Sequence, residues 1–318
     1  MNNFFKITPT TYGWGYGYGF FSNYKTCLEQ IILHHNRKDK SIPYIDWSST
    51  TFVDGFNPFA DSSYNGTTRY GSNAPIPKGN PFDFWFNQKI PENNNVITSN
   101  GEGFQTIIDH SQTYLNEPQK LSEIQKIDKN YIKPKKYILD KIKKIYEKEF
   151  KGHIVLGIMA RGAEYNSKLY KNNIDPDHPP FGIFNALDYI KGVKNILAEN
   201  PHITKLFFAS EEQQYVDELS KAFPNSYFMK DAFRRTDETM EYMERVSCWP
   251  NISTIRKDQC KLLGEETIIQ TKLLSKCDYF YGRLSGIFTA AILWSEGFKK
   301  VYKTCSINGS KLIKNVIK

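Results

Sequence analysis

The sequence predicts an α/β protein whose C-terminal half forms a parallel sheet covered by helices. After residue 152, apolar strand-like segments alternate with helix-like segments, which is the pattern of such a sheet. The 318 residues suffice for about two domains. Aromatic residues make up 15% of the chain, which is more than a disordered chain carries. We therefore expect an N-terminal domain over residues 1–151 and a C-terminal domain over residues 152–318.

A glycine and aromatic segment opens the N-terminal domain. Residues 12–21 alternate glycine with aromatic side chains, whose flat faces either stack on a sugar or base or form a packed loop. Ser22 then suits the N-cap of a helix. That helix carries an apolar side made of Leu28, Ile31 and Ile32.

The rest of the N-terminal domain is less regular. Residues 41–47 predict a short strand, and residues 48–100 predict a long irregular region rich in Gly, Pro, Asn and Ser. Aromatic residues between Phe82 and Phe86 favour ordered packing within that region. Helical periodicity resumes over residues 104–150, and we place the join between the domains near Gly152.

In the C-terminal domain the elements alternate. The predicted strands cover residues 153–159, 205–209, 227–229, 278–281 and 300–303. The predicted helices cover residues 265–275 and 285–296, with one helix carrying Phe184, Leu187, Ile190, Val193 and Leu197 and another carrying Tyr215, Val216 and Leu219.

The net charge of +8 favours anionic partners such as nucleotides, phosphates, acidic glycans or an anionic membrane. Much of the excess lies in the lysine-rich residues 133–151, where apolar residues recur at helical spacing. Pro134 suits the first turn of this predicted helix. Its basic face is either simply solvated or attracted to an anionic membrane surface, at roughly 1 kcal/mol per nearby basic residue.

Five scattered cysteines without a C-x-x-C pair argue against a disulfide framework and against a zinc site. The first residues lack the basic and apolar regions of a signal peptide. The longest mainly apolar run, residues 287–294, is too short to span a bilayer. We therefore expect a cytoplasmic protein, with the inner face of the membrane as an alternative location.

An arginine follows the first strand of the predicted sheet. That strand runs into Arg161-Gly162, and Glu164 comes shortly after. Ligands of α/β proteins bind at the carboxyl ends of strands. A guanidinium can hold a phosphate or carboxylate through two hydrogen bonds, and a glycine allows the backbone to turn sharply. The alternative is a structural ion pair between Arg161 and Glu164.

A second candidate anion site is the turn Gly282-Arg283-Leu284-Ser285-Gly286, between a predicted strand and helix. The backbone N–H groups and positive end of a helix attract anions. Ser285 occupies the N-cap position, so capping alone explains it, and a phosphate contact is a separate hypothesis. Neither G-x-x-x-x-G-K nor G-x-G-x-x-G occurs in this half, which argues against a P-loop ATPase and a dinucleotide enzyme.

Three segments resemble, in order, motifs of the GDP-fucose-dependent fucosyltransferase superfamily, which includes nodulation, α1,6- and protein O-fucosyltransferases. Residues 156–165 are similar to its strand and basic loop, and residues 206–212 to its strand that ends in acids. Residues 264–286 resemble its helix, strand and serine-bearing turn. Residues 19–23 and 43–47 also resemble bacterial members.

The resemblance implies a GT-B-like fold: two Rossmann-like domains with the donor cleft between them. It further implies inverting, metal-independent transfer from a GDP-sugar to a glycan, without a cofactor. It assigns the diphosphate to Arg161 and a phosphate contact to Ser285. The donor-binding residues that we expect are Arg161, Gly162, Glu211, Gln270, Arg283, Ser285, Gly286 and Gly19.

The chain departs from the family pattern in residues of the donor motifs. Met159 replaces a histidine, Gly162 replaces a second arginine, and Gln270 replaces an acid that binds guanine. Glu164 and Glu211 stand in for the acids of the first two motifs. These changes leave fucose, mannose and heptose open as the GDP-linked sugar, in a process such as bacterial capsule or lipooligosaccharide synthesis.

Direct displacement also needs a base that takes the proton of the acceptor hydroxyl. Glu164, Asp46 and His178 are candidates, and together with Arg161 they form the expected catalytic set. We interpret Asp175-Pro176-Asp177 as a turn and not as a D-x-D metal motif. Two other functions are open: a catalytically inactive nucleotide- or glycan-binding relative, and a nucleic-acid-binding protein, for which no recognised motif is present.

Overall fold

The computed structural model describes most of the chain in eleven stretches. They are residues 4–7, 20–36, 41–47, 80–91, 96–98, 117–161, 185–234, 236, 259–283, 285–305 and 309–313. The chain divides into two compact units. The first comprises Met1–Tyr114, Gln119–Leu139 and Val246–Thr267, and the second comprises Leu115–Pro118, Asp140–Arg245 and Ile268–Lys318. These limits differ from the single predicted boundary after residue 151.

The first unit contains a three-stranded parallel sheet in the order β2-β1-β4. Strand β1 (Phe4–Ile7) pairs with β2 (Ile42–Ile45) on one side and with β4 (Val96–Thr98) on the other. Helix α1 (Phe20–Asn36) connects β1 to β2. Ser22, the predicted N-cap, lies inside this helix, because the helix already includes Phe20. The strand predicted over residues 41–47 is confirmed.

Buried aromatic side chains fill the core of the first unit. Phe20 contacts Trp47 and Trp85 edge to face, with ring centroids 5.0 and 5.1 Å apart, and Phe82 stacks on Phe86 at 4.6 Å. Such pairs add stability beyond the area they bury. Helix α2 (Phe82–Trp85) and strand β3 (Phe86–Asn87) carry three of these residues. The ordered packing predicted between Phe82 and Phe86 is confirmed.

The helical region predicted over residues 104–150 contains two described helices, α3 (Pro118–Tyr131) and α4 (Lys136–Glu149). Strand β5 (Lys133–Pro134) separates them and pairs antiparallel with β3. The prediction that Pro134 begins a helix is therefore wrong. The backbone N–H of Lys135 donates to the carbonyl of Trp85 over 2.8 Å, so this segment follows β3 before the helix begins.

The second unit contains a six-stranded sheet in the order β11-β10-β9-β6-β7-β8. Its strands are β6 (Val155–Ala160), β7 (Lys205–Ser210), β8 (Ser226–Tyr227), β9 (Tyr279–Gly282), β10 (Lys300–Cys305) and β11 (Gly309–Ile313). All pairs are parallel except β10 with β11. The associated helices are α5 (Ala186–Glu199), α6 (Gln213–Ala222), α7 (Gln259–Leu274) and α8 (Gly286–Leu293), of which α7 belongs to this unit from Ile268 onward. The predicted alternation and the parallel sheet are confirmed.

The strand order reverses direction beside β6. From β6 the chain moves outward to β7 and β8, and it then returns to β9 on the other side of β6 before moving to β10. Open α/β sheets bind ligands at the carboxyl ends of the two strands that flank such a reversal. The topology therefore predicts a ligand site at the carboxyl ends of β6 and β9.

Two details of the second unit differ from the predictions. The final antiparallel strand β11 was not predicted. Leu187 does not face the core with Val193, because its residue surface is 67% exposed while Val193 is fully buried. Asn185 caps α5 in a capping box with Asp188, so Leu187 lies in the first turn of the helix. No helix in the described ranges is long and apolar enough to cross a membrane.

Candidate functional site

Arg161 lies immediately after β6, and Tyr189 binds its backbone on both sides. Every residue of β6 is buried, and Arg161 is half-buried. The backbone N–H of Arg161 donates to the Tyr189 hydroxyl over 3.0 Å, and that hydroxyl donates to the Arg161 carbonyl over 2.7 Å. A side chain of α5 thus fixes the backbone of Arg161, the first residue that was predicted to bind an anion.

Arg283 follows the neighbouring strand β9 and is only 4% exposed. Gly282 pairs with Met159 of β6, so Arg283 and Ala160 occupy the next level of the two strands. A side chain at Gly282 would crowd this approach, since a Cβ would lie 3.1 Å from the Cβ of Met159 and 3.2 Å from its carbonyl oxygen. Arg161 and Arg283 therefore follow adjacent strands at the reversal of the strand order, and adjacent strands are about 4.8 Å apart.

Ser285 caps helix α8, which confirms its predicted structural role. Its hydroxyl accepts a hydrogen bond from the backbone N–H of Phe288 over 3.2 Å and donates to the sulfur of Met159 over 3.5 Å. Gly286 is the first residue of the helix. Met159, which stands where the family has a histidine, thus contacts the serine turn. The phosphate contacts assigned to Ser285 and Gly286 remain predictions.

The carboxyl end of β7 carries two acids in different settings. Glu211 is half-buried, whereas Glu212 is 3% exposed and its N–H donates to the hydroxyl of Ser210 over 3.1 Å. The motif comparison selected Glu211, so the buried Glu212 was missed. The only sequence signal for Glu212 was its position, because it directly follows Glu211 in the same motif.

The charged residues at this edge of the sheet affect the pKa values of two buried tyrosines, Tyr189 and Tyr215. Burial raises the pKa of the Tyr189 hydroxyl, while the backbone hydrogen bond of Arg161 and the charge of Arg283 oppose this rise. Burial and then the negative charge of Glu212 raise the pKa of Tyr215. The two rings contact each other with centroids 5.7 Å apart. Both hydroxyls therefore stay protonated at neutral pH, beside a buried acid and a buried arginine.

No protein-family model matches this sequence, and no curated protein matches it. A solved structure of NodZ alpha-1,6-fucosyltransferase soaked with GDP-fucose has a TM-score of 0.55 at 15% identity, covering 99% of this chain and 100% of that one. The fucosyltransferase NodZ from Bradyrhizobium gives 0.54 at 15% identity, covering 99% of both chains.

The chain has the fold of these fucosyltransferases. NodZ co-crystallised with GDP is similar too, with a TM-score of 0.53 at 14% identity and 99% of both chains covered. The superfamily resemblance drawn from the three sequence segments is thus confirmed at the level of the fold. The two arginines and the serine turn lie at the carboxyl edge of the sheet in the second unit.

Gln270 lies on α7 in the second unit of this fucosyltransferase fold. Its side chain is half-buried, and its Oε1 atom is inaccessible to solvent and accepts no hydrogen bond from the described residues. A buried amide oxygen without a donor is costly. This atom is thus suited to accept a hydrogen bond from a ligand, although the predicted contact with guanine remains a prediction.

Of the three candidate bases, Asp46 lies among the described residues. Asp46 follows β2 in the first unit, is 7% exposed, and forms an ion pair with Lys6 at 2.6 Å. Glu164, His178, Gly162 and Gly19 lie outside the described residues. Across the described residues, no group of three His, Cys, Asp or Glu side chains could hold a metal ion. Metal independence remains a prediction.

Proposed function

We propose that the chain is a glycosyltransferase that binds a GDP-sugar in its second unit and transfers the sugar to a glycan. The observation that carries this proposal is the placement of Arg161 and Arg283 after the two strands that flank the reversal of strand order. Guanidinium groups suit a diphosphate because each can donate two parallel hydrogen bonds. The GDP and GDP-fucose present in the NodZ structures of the same fold support a GDP-linked donor.

The proposed chemistry is a direct, inverting displacement. The acceptor hydroxyl attacks the anomeric carbon, the bond from that carbon to the diphosphate breaks, and GDP leaves with the electron pair. Negative charge grows on the β-phosphate during this step, and a pre-positioned Arg161 stabilises it. The hydroxyl proton passes to a base. Asp46 is one candidate, and its ion pair with Lys6 favours the ionised carboxylate and weakens it as a base.

The sugar, acceptor and setting belong to the same proposal. Fucose is the simplest donor sugar because the NodZ structures share the fold, and mannose and heptose are the alternatives. We propose a glycan acceptor in bacterial surface polysaccharide synthesis, a GT-B-like donor cleft between the two domains, and a cytoplasmic protein. No cofactor is part of the proposal.

A thermal-shift panel of GDP, UDP, ADP and CMP tests the donor class. At a ligand concentration about a hundredfold above the dissociation constant, binding adds about 2.7 kcal/mol of stability, which is easily measured. We expect a rise with GDP alone, and a smaller rise in the Arg283→Lys variant, which keeps the charge but loses the planar fork. Absence of any nucleotide response contradicts the proposal. A GDP response without transfer or hydrolysis of any GDP-sugar identifies an inactive relative.

We also propose a peripheral contact between α4 and an anionic membrane. The Lys143 and Lys148 side chains on this helix are 73% and 78% exposed. Exposed lysines near an anionic surface contribute about 1 kcal/mol each. Co-sedimentation should show binding to vesicles that contain phosphatidylserine but not to neutral phosphatidylcholine vesicles, and Lys143→Glu with Lys144→Glu should abolish it. Lys221→Glu, on the exposed side of α6, is the matched control. Equal binding to both vesicles refutes the contact.

A further inference from the structure

Tyr189 takes the place of a strand partner for Arg161. The last residue pair between β6 and β7 is Ala160 with Ser210, so Arg161 lies one residue beyond that ladder. Buried or half-buried backbone groups need hydrogen-bond partners. A phenol can donate one hydrogen bond and accept others, and the Tyr189 hydroxyl uses both capacities on this one residue. The backbone therefore leaves β6 in a fixed conformation.

Tyr189 is itself held on several sides. It is fully buried, and its ring packs against Tyr215 of α6 and Tyr281 of β9, with centroids 5.7 and 5.8 Å apart. The Asn185 capping box fixes the first turn of α5, one turn before Tyr189. A side chain in such packing has little rotational freedom. Its hydroxyl is consequently a rigid reference point for the Arg161 backbone.

We propose that Tyr189 is a positioning residue that holds Arg161 ready to bind the terminal phosphate of a nucleoside diphosphate. The inference rests on the proposed function of Arg161 and adds to it the residue through which α5 fixes the site. A guanidinium that is already oriented loses less conformational entropy when it binds and stabilises charge better than a mobile one. Without the Tyr189 hydroxyl, the backbone at Arg161 should sample other conformations and its phosphate contact should weaken.

The test compares GDP with GMP in Tyr189→Phe, because only GDP has the terminal phosphate that Arg161 is proposed to bind. We expect GDP binding to weaken about tenfold, as for the loss of a hydrogen-bonding hydroxyl, while GMP binding changes little. Calorimetric titration gives both affinities. Amide hydrogen exchange of the peptide that contains Arg161 should also become faster. A role confined to general stability would lower the melting temperature and leave the ratio of GDP to GMP affinity unchanged, and that result overturns the inference.

Tyr302→Phe is the matched control. Tyr302 is also buried in the second unit, and its hydroxyl donates to Glu199 over 3.2 Å and accepts from Asn200 over 3.0 Å, where α5 ends. This variant loses a comparable hydroxyl but should keep the wild-type affinity ratio. In an Arg161→Ala background, Tyr189→Phe should not change the ratio further, and an additional change contradicts action through Arg161. Failure of the wild-type protein to bind GDP refutes the proposed function itself.

Discussion

Arg161 is the residue on which the proposed reaction depends most directly. Its replacement by alanine removes a donor to the leaving diphosphate, so we expect turnover of a GDP-sugar to fall roughly a hundred- to a thousandfold. Arg161→Lys keeps the positive charge without the paired donors and should give an intermediate rate. Steady-state transfer assays at saturating donor measure both. Turnover of Arg161→Ala close to that of the wild type contradicts the assignment.

Ser285 has an established structural role, and a variant can separate it from the predicted phosphate contact. Loss of the cap hydroxyl in Ser285→Ala should lower the free energy of unfolding by about 1 kcal/mol in urea titrations. Ser285→Thr keeps a hydroxyl and should lose less. If the phosphate contact exists, GDP binding also weakens in Ser285→Ala and survives in Ser285→Thr. Unchanged GDP affinity in both variants leaves Ser285 as a cap only.

The sequence could predict the charged residues of the candidate site but not the groups that support them. Arg161 and Arg283 were predictable because each directly follows a strand. A residue that directly follows a strand of a parallel sheet lies at the carboxyl edge of that sheet. The bond between Tyr189 and Arg161 could not be predicted, because it depends on how far α5 is shifted along β6. That shift is set by tertiary packing, which the periodicity of a helix does not encode.

At the scale of elements, local signals fixed the types of most segments and left several of their ends undetermined. Pro134 satisfies the geometry of a first helical turn and of an edge strand equally well, and its pairing with Phe86 decided between them. Strand β11 carries Gly309 and Lys311, which disfavour strands by propensity, yet the antiparallel ladder with β10 includes both. Contacts distant in sequence therefore outweighed propensity at both places.

Helix α7 offers a test of such a distant contact, in which the sign of the effect is informative. Gly264 packs directly on the Trp85 indole in the first unit, so that a Cβ at this position would overlap Cζ2 and Cε2 of the ring. In an unconstrained helix, Gly→Ala stabilises by about 1 kcal/mol. Here we expect Gly264→Ala to destabilise by about 1–3 kcal/mol, the range typical of overpacking.

The Trp85→Phe background is the control for this prediction. Phenylalanine lacks the ring atoms that the new Cβ would overlap, so Gly264→Ala should cost less there than in the wild type. The indole N–H donates to the Lys261 carbonyl over 2.8 Å. Loss of this hydrogen bond lowers the stability of Trp85→Phe and of the double variant with Gly264→Ala equally. Urea unfolding of the four proteins gives the coupling energy. Stabilisation by Gly264→Ala in the wild-type background refutes the close packing.

At the scale of the whole molecule, the order of the strands links the fold to the proposed function. Composition and alternation indicated a parallel sheet, but they did not indicate that β9 returns beside β6. That return makes Arg161 and Arg283 neighbours although 122 positions separate them in sequence. The sequence likewise did not indicate that residues 246–267 belong to the first compact unit. Both features depend on which surfaces pack together, and a single sequence read by its local periodicity cannot supply that information.

Buried acidic groups distributed through the chain predict loss of stability at alkaline pH. Burial raises the pKa of the Cys27 thiol from 9.0 to about 12, and it likewise raises the pKa of the Tyr302 hydroxyl from 10.0 to about 12. The folded state therefore favours the neutral forms. Because the folded pKa values exceed the unfolded ones, these groups contribute stability that is complete below about pH 9 and is lost as the pH rises towards 12.

We expect the contribution of these groups to the free energy of unfolding to be constant near neutral pH and to fall steeply between about pH 9 and 12. The slope is about 1.4 kcal/mol per pH unit for each proton that the unfolded chain releases. Urea titrations across this range measure the slope. Cys27→Ser keeps an acceptor for the indole N–H of Trp47, which donates to the Cys27 sulfur over 3.2 Å, and removes the titration. Its curve should be shallower by one proton. Tyrosinate absorbance should rise together with unfolding, because Tyr302 is buried until the fold opens. Titration of all tyrosines near pH 10 in a chain that remains folded contradicts this account.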